Sequence, residues 1–249
     1  MKLNSTPKPE YWDDPTWCGF LDKIGLDRSH YRRHWEWAQV AYGLDRLGML
    51  NEKCRGLGIG VGKEPLIFYL ATLAGEIIAT DMYKAGWATS GQADPSMLTE
   101  PEKLSPFPYP RERLRVMRMD ALDLKYPDDS FDFAWSVGAI EHFGSSRIEN
   151  AFQFGIHFLG LRKSGSRFDH QEATRAIREI RRVLKPGGVA AVTTELVLNE
   201  RPHHEFFLPD ELYRFIIEPS GMELVEEDID LTPSPFFMDR ILPRKKWKS

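Results

Sequence analysis

Apolar and polar positions along this chain fall into blocks, and the blocks change period in a regular order. Short apolar runs at 53–58, 76–81, 115–119, 131–137 and 188–195 are separated by runs with helical spacing at 64–74 and 171–184. Short apolar runs bounded by turn residues read as buried strands, and longer periodic runs read as helices. Strands alternating with helices across short turns predict a parallel sheet covered on both faces. The fold class is therefore α/β, doubly wound and mostly parallel. Right-handed crossovers and a switch in strand order place the ligand cleft at the carboxyl ends of the strands.

Flanking segments decorate this core. Residues 1–16 carry three prolines and are expected to wrap the surface or fray. Tyr31, Trp35, Ala38, Val40, Ala41, Leu44, Leu47 and Leu50 recur at roughly helical spacing. They predict either a helix packed on the sheet or a cap helix bringing Tyr31, Arg33 or Trp35 to the cleft. Residues 84–114 read as a long Pro-, Gly-, Ser- and Thr-rich loop, and 144–170 as an insertion that helps to form the acceptor pocket, the alternative being a plain surface or dimerisation helix. Leu208-Pro209-Asp210-Glu211-Leu212 opens a helix. Gly221–Val225 is expected as a sixth strand and 235–242 as the place for a seventh, and the basic tail 244–248 as a solvated end. The chain reads as one domain: extension and cap helix 1–50, core 51–200 with the insertion 144–170, and a C-terminal substrate-side part 201–249.

Composition narrows the partners. Of 249 residues, 42% are hydrophobic and 28% charged, as in ordinary globular proteins. A net charge of −4 argues against nucleic acid, which favours a basic face. Cys18 and Cys54 are too few for a disulfide framework or a zinc site, so a reducing, cytoplasmic compartment is expected. Met1–Asp14 holds no apolar signal core, and no apolar run approaches the ~18 residues of a membrane span. The longest, Leu66–Ala79, is broken by Gly75 and Glu76.

Candidate chemistry starts at Arg55-Gly56-Leu57-Gly58-Ile59-Gly60-Val61-Gly62-Lys63-Glu64-Pro65. Glycines at 58, 60 and 62 between a strand and a helix let backbone N–H groups approach a ligand closely. A phosphate-cradling P-loop would need glycine at 57 and Ser or Thr at 64, where Leu57 and Glu64 stand. A dinucleotide fingerprint would need a small residue at 63, where Lys63 stands. Asp81 ends the second strand, 19 residues beyond Gly62. An acid at that tip can accept both ribose hydroxyls of an adenosine, and Met82 is placed to lie against the adenine.

The G-x-G-x-G spacing, Glu76–Asp81, the stretch Arg115–Asp132 and the run Ala176–Gly188 occur in one order over residues 54–195. In this the chain resembles the class I, Rossmann-like S-adenosylmethionine-dependent methyltransferases. The resemblance implies S-adenosyl-L-methionine as cofactor, held by Gly58, Ile59, Gly60, Gly62, Asp81, Met82, Asp120, Ala121 and Ser136. Asp120 would take the adenine amine and the N–H of Ala121 a ring nitrogen. The family's acid two places before the first glycine is replaced by Gly56. Glu64 stands either to compensate or to cap the next helix through its dipole.

Methyl transfer from a sulfonium mainly requires alignment and exclusion of water, with a general base only where the acceptor loses a proton. His142, with Glu141 beside it just after the fourth strand, is the catalytic candidate, since the ordinary imidazole range lies near neutrality. Some related methyltransferases bind a divalent ion through E-x-x-E-H. Gly138 occupies the first acidic position here, so no metal is assigned. His203 and His204 read as rim or loop residues. The base-methylating tetrad of Pro-Pro-Tyr type is absent, with Ser136-Val137-Gly138-Ala139 in its place. Trp87, Phe107, Tyr109, Arg147 and Arg162 suit a sugar or a lipid- or nucleotide-linked acceptor. The expected function is methyl transfer to a small molecule, at oxygen; the alternative is a non-catalytic, methyltransferase-like subunit that binds another protein.

Overall fold

The computed structural model describes residues 1–83, 93–143, 170–198 and 206–236. Five strands form one parallel sheet: β1 (Arg55–Ile59), β2 (Glu76–Asp81), β3 (Leu114–Arg118), β4 (Phe131–Val137) and β5 (Leu184–Thr193), in the order β3-β2-β1-β4-β5. The order reverses between β1 and β4, which opens the cleft at the carboxyl ends of those strands.

Three helices cover one face. Helix α1 (Pro15–Ile24) has Pro15 in its first turn and Asp14 as N-cap, accepting from the N–H of Thr16 and Trp17. Gly25 ends it in the left-handed conformation. Helix α2 is Arg32–Arg46 and α3 is Leu66–Leu73, the latter apolar nearly all round and buried accordingly. Their side chains join Ile77, Ala79, Phe133 and Trp135 in one core layer. On the opposite face α4 (Gln171–Val183) buries Ala173, Ala176, Ile177, Ile180 and Val183 on Leu57, Ile59, Ile78 and Ala134. That one-sided stripe is the helical period anticipated over 171–184. A short helix, α5 (Pro209–Leu212), continues through a wide-pitched turn at Tyr213–Ile217, and Glu211 accepts from the N–H of Leu208 at its start.

Two boundaries differ from expectation. The fifth strand already pairs at Leu184, then skips: Phe131 faces Leu184 but Phe133 faces Val189, so Lys185–Gly188 bulge out of the ladder. Gly221–Val225 forms no strand. Val225 is 52% exposed, and the following segment turns to the N-terminus instead. Glu226 accepts from the N–H of Leu3 and Asn4, Lys2 pairs with Asp228, and the Thr6 N–H donates to the Asp230 carbonyl at 2.9 Å. The first residues therefore wrap the surface and are pinned there. Among the described residues no helix is long and apolar enough to cross a membrane.

Candidate active site

The turn after β1 is built as the glycine spacing requires. Gly60 and Gly62 have φ of 68° and 52°, a region that side chains with a Cβ rarely enter. A Cβ on Gly60 would also lie 2.9 Å from that of Ala139 and 3.0 Å from the Phe143 ring, so the turn reaches the end of β4. The N–H groups of Gly60 and Val61 donate to the Thr80 carbonyl, and the Thr80 hydroxyl donates to the Gly58 carbonyl at 2.7 Å. The buried Gly58 and Ile59 thus share their register with β2.

Asp81 ties the second strand to the same turn. Its Oδ2 accepts from the Gly62 N–H at 3.0 Å and its Oδ1 from the Tyr83 N–H at 2.9 Å. Burial pushes its carboxyl up, against the pull of the N–H groups of Tyr83, Gly62 and Met82. Tyr83 itself has φ of 44° and is buried, and its hydroxyl donates to the Gly62 carbonyl at 3.0 Å. Met82 stands half-buried between the two. The Met119 N–H donates to the Asp81 carbonyl, which brings the stretch after β3 alongside. There Asp120 accepts from the Leu122 N–H at 2.9 Å, and Ala121 is buried.

At the end of β4 the site changes character. Ser136 is fully buried, and its hydroxyl has no partner among the described residues. A single helical turn, Ile140–His142, follows. Glu141 is 1% exposed; its Oε2 accepts from the Thr194 hydroxyl at 3.0 Å, while Oε1 has no partner among the described residues. Burial pushes the Glu141 carboxyl up to about 7, opposed by its own backbone N–H, the Thr194 hydroxyl and Arg33, with Glu195 adding to the rise. His142 is half-buried and its N–H closes the turn on the Ala139 carbonyl.

Arginines from α2 complete this corner. Arg33 donates to Glu36 at 2.8 Å and to the carbonyls of Val137 and Gly138, and Arg32 pairs with Glu195. Two cations in the first turn of a helix oppose its dipole. They are balanced by the buried Glu36 and by Glu195, and that mismatch is the sequence signal that marks Arg32 and Arg33 as more than surface charge. Of the three α2 candidates, Arg33 reaches the cleft, Trp35 packs edge-on against Tyr11 in the core, and Tyr31 is 56% exposed. Phe107 lies at Gly25 and Tyr109 against Phe68, both in the helical layer. Trp87, Arg147, Arg162, His203, His204, the insertion 144–169 and the tail 244–248 lie outside the described residues, as does most of 235–242. Among the described residues no group of three His, Cys, Asp or Glu is arranged to hold a metal.

Comparison with known proteins agrees with this geometry. Residues 57–154 match the family described as a methyltransferase domain. Residues 57–154 thus carry a methyltransferase domain, the parallel sheet around them has the class I, Rossmann-like fold, and S-adenosylmethionine is the methyl donor such a domain implies. The fold is similar to that of the [4+2]-cyclase SpnF, with TM-score 0.53 and 21% identity over 85% of this chain and 71% of that one. It is also similar to a chain of the complex between the Haloferax volcanii Trm112 methyltransferase activator and a protein assigned as a methyltransferase, with TM-score 0.51 and 18% identity over 93% and 87%. The match to the YcgJ protein of Bacillus subtilis, with 21% identity and TM-score 0.39, spans 60% of this chain and 47% of that chain. No curated protein sequence matches the chain. The residues present fit the cofactor: left-handed glycines leave the turn open to a ligand, acids stand at the tips of β2 and β3, and the Ser136 hydroxyl awaits a partner.

Proposed function

We propose that the chain methylates a small molecule at oxygen, with a sugar or a lipid- or nucleotide-linked compound as acceptor. The observation that carries the cofactor half is the bond from the Gly62 N–H to Asp81, with Met119 and Asp120 drawn in beside it. Gly58, Ile59, Gly60 and Gly62 would face the cofactor with backbone, Asp81 and Met82 its adenosine, and Asp120, Ala121 and Ser136 the adenine and its surroundings. When bound, S-adenosylmethionine supplies a methyl carbon already activated by a sulfonium.

The acceptor half rests on Glu141. A hydroxyl must lose its proton, and a carboxyl raised to about 7 accepts one at neutral pH. Thr194 holds one oxygen and leaves the other buried with no partner among the described residues, which supports Glu141 as the group that takes the proton. His142, adjacent in the same turn, is the relay or the competing base. Isothermal calorimetry with S-adenosylhomocysteine tests the cofactor half, and Asp81→Ala is expected to weaken binding by about tenfold to a hundredfold. A labelled methyl-transfer screen on cell extracts tests the acceptor half; Glu141→Gln should abolish transfer without abolishing binding. If His142→Ala loses transfer and Glu141→Gln keeps it, the roles are reversed.

Gly56, standing where the family carries an acid, favours a second reading: a non-catalytic subunit that keeps the fold and binds another protein. That reading requires Asp81→Ala to leave the biological function intact.

A further inference from the structure

Glu64 follows the glycine turn directly and is 8% exposed. It is not a helix cap, since α3 starts behind Pro65 with no side-chain cap bond. Its carboxylate joins elements that are distant in sequence. Oε1 accepts from the indole N–H of Trp135 on β4 at 2.7 Å, and Oε2 from that of Trp37 on α2 at 2.8 Å.

The reason for such a tie lies in β1. Gly56 and Gly58 stand opposite Phe133 and Trp135 in the parallel ladder. A Cβ at 56 would meet the Phe133 ring at 2.3 Å, and one at 58 the Trp135 ring at 2.4 Å. Aromatic rings from β4 therefore fill the space over β1, and β1 sends no side chain of its own into that face at either position. The turn has to be held from beyond its far end. Glu64 does this through the same Trp135 that covers Gly58.

We propose that Glu64 is a positioning residue of the cofactor turn, the carboxylate that fixes the Gly58–Gly62 backbone to β4 and to the helix α2. The proposal rests on the reading of that turn as the cofactor's. Both oxygens accept from donors, so an amide cannot replace the carboxylate: its NH2 would face one of the two indole N–H groups. Arg33, Glu36 and Tyr83 are the other ionisable groups near it, and burial pushes its carboxyl up to about 8 while the two indoles pull it down, so the comparison with Gln is made at pH 9, where the carboxylate form holds.

The test compares wild type, Glu64→Gln, Trp37→Phe and the double variant in the intact chain. Hydrogen exchange of the peptide covering 58–64 reads the turn without ligand, and calorimetry with S-adenosylhomocysteine reads the site. Glu64→Gln should speed exchange in that peptide and raise Kd, each about tenfold, the cost of one buried donor left unpaired. Trp37→Phe in the Glu64→Gln background removes the opposed donor and should bring both back to the level of Trp37→Phe alone, which loss of general stability would not do. Unchanged exchange in Glu64→Gln, or no rescue in the double variant, overturns the proposal. Should Glu64→Gln fail to fold, Trp37→Phe alone must still speed exchange at 58–64, and unchanged exchange there overturns it too. A wild type that binds no S-adenosylhomocysteine refutes the cofactor reading of the turn, while the exchange arm still judges Glu64 by itself.

Discussion

Adding a single methyl group at position 56 is the sharpest perturbation the core offers. In Gly56→Ala the new Cβ would lie 2.3 Å and 2.4 Å from two atoms of the Phe133 ring and 2.9 Å from the Ile77 methyl, where ordinary contact begins at 3.4 Å. The ring would have to retreat by roughly 1 Å, yet it is wholly buried with Trp135 6.1 Å away. Overpacking of this kind costs about 1–3 kcal/mol. In a chain of this size that lowers the melting temperature by roughly 2–12 °C. Gly56→Asp adds an unpaired carboxylate in the same apolar layer and should cost several kcal/mol more. Phe133→Leu shortens the obstructing ring, so Gly56→Ala should cost much less in that background, with a coupling of about 1 kcal/mol or more. Thermal and urea unfolding of the four variants in the cycle provide the assay. A Gly56→Ala protein that melts with the wild type, or strictly additive effects, would refute the claim that β4 fills the space over β1.

Acidity gives a second test: the Glu141 carboxyl is raised from 4.5 to about 7, so the folded chain holds a proton that the unfolded chain releases. The associated stability is complete below pH ~4.5 and is lost as pH rises to about 7, worth up to roughly 3 kcal/mol. Glu141→Gln should flatten the fall between pH 5 and 7 in urea titrations, and an unaltered slope contradicts the assignment. Tyr83→Phe deletes the donor to the Gly62 carbonyl; it should cost about 1 kcal/mol in urea unfolding and weaken S-adenosylhomocysteine binding in calorimetry. Unchanged values in both measurements would show that the turn does not depend on that hydroxyl.

The sheet was readable from periodicity because its strands are buried on both faces, so each appears as a short apolar run between turn residues. The glycine turn and Asp81 were equally plain, since their chemistry is local: φ values at 60 and 62, and one carboxylate 19 residues on. Helix α1 went unassigned although Asp14-Pro15 and Gly25 mark its two ends. Gly221–Val225 has strand composition, but the carboxylates and carbonyls just after it bind the N-terminal backbone, and no pattern within one segment reports a partner more than two hundred residues away. Glu64 shows the same limit at a site. Its position allowed a cap or a compensating acid, and the choice depended on two indoles, one from 27 residues before it and one from 71 after.

Stitching residues 2–6 to residues 226–232 also sets an order of events during synthesis. The glycine turn, β2 and α3 are complete once residue 81 has emerged, and they can pack as they appear. The first few residues must wait. Their partners Glu226, Asp228 and Asp230 lie beyond β5 in the sequence, so the N-terminal strap closes only after all five described strands have been made. Contacts of such long range are slow to form. The same strap also meets α2, the helix that brings the arginine corner to the cleft, where Gln39 donates to the carbonyls of Lys2 and Leu3. The helix that carries the arginine corner is thus moored to a strap whose other attachment comes from beyond the last strand of the sheet.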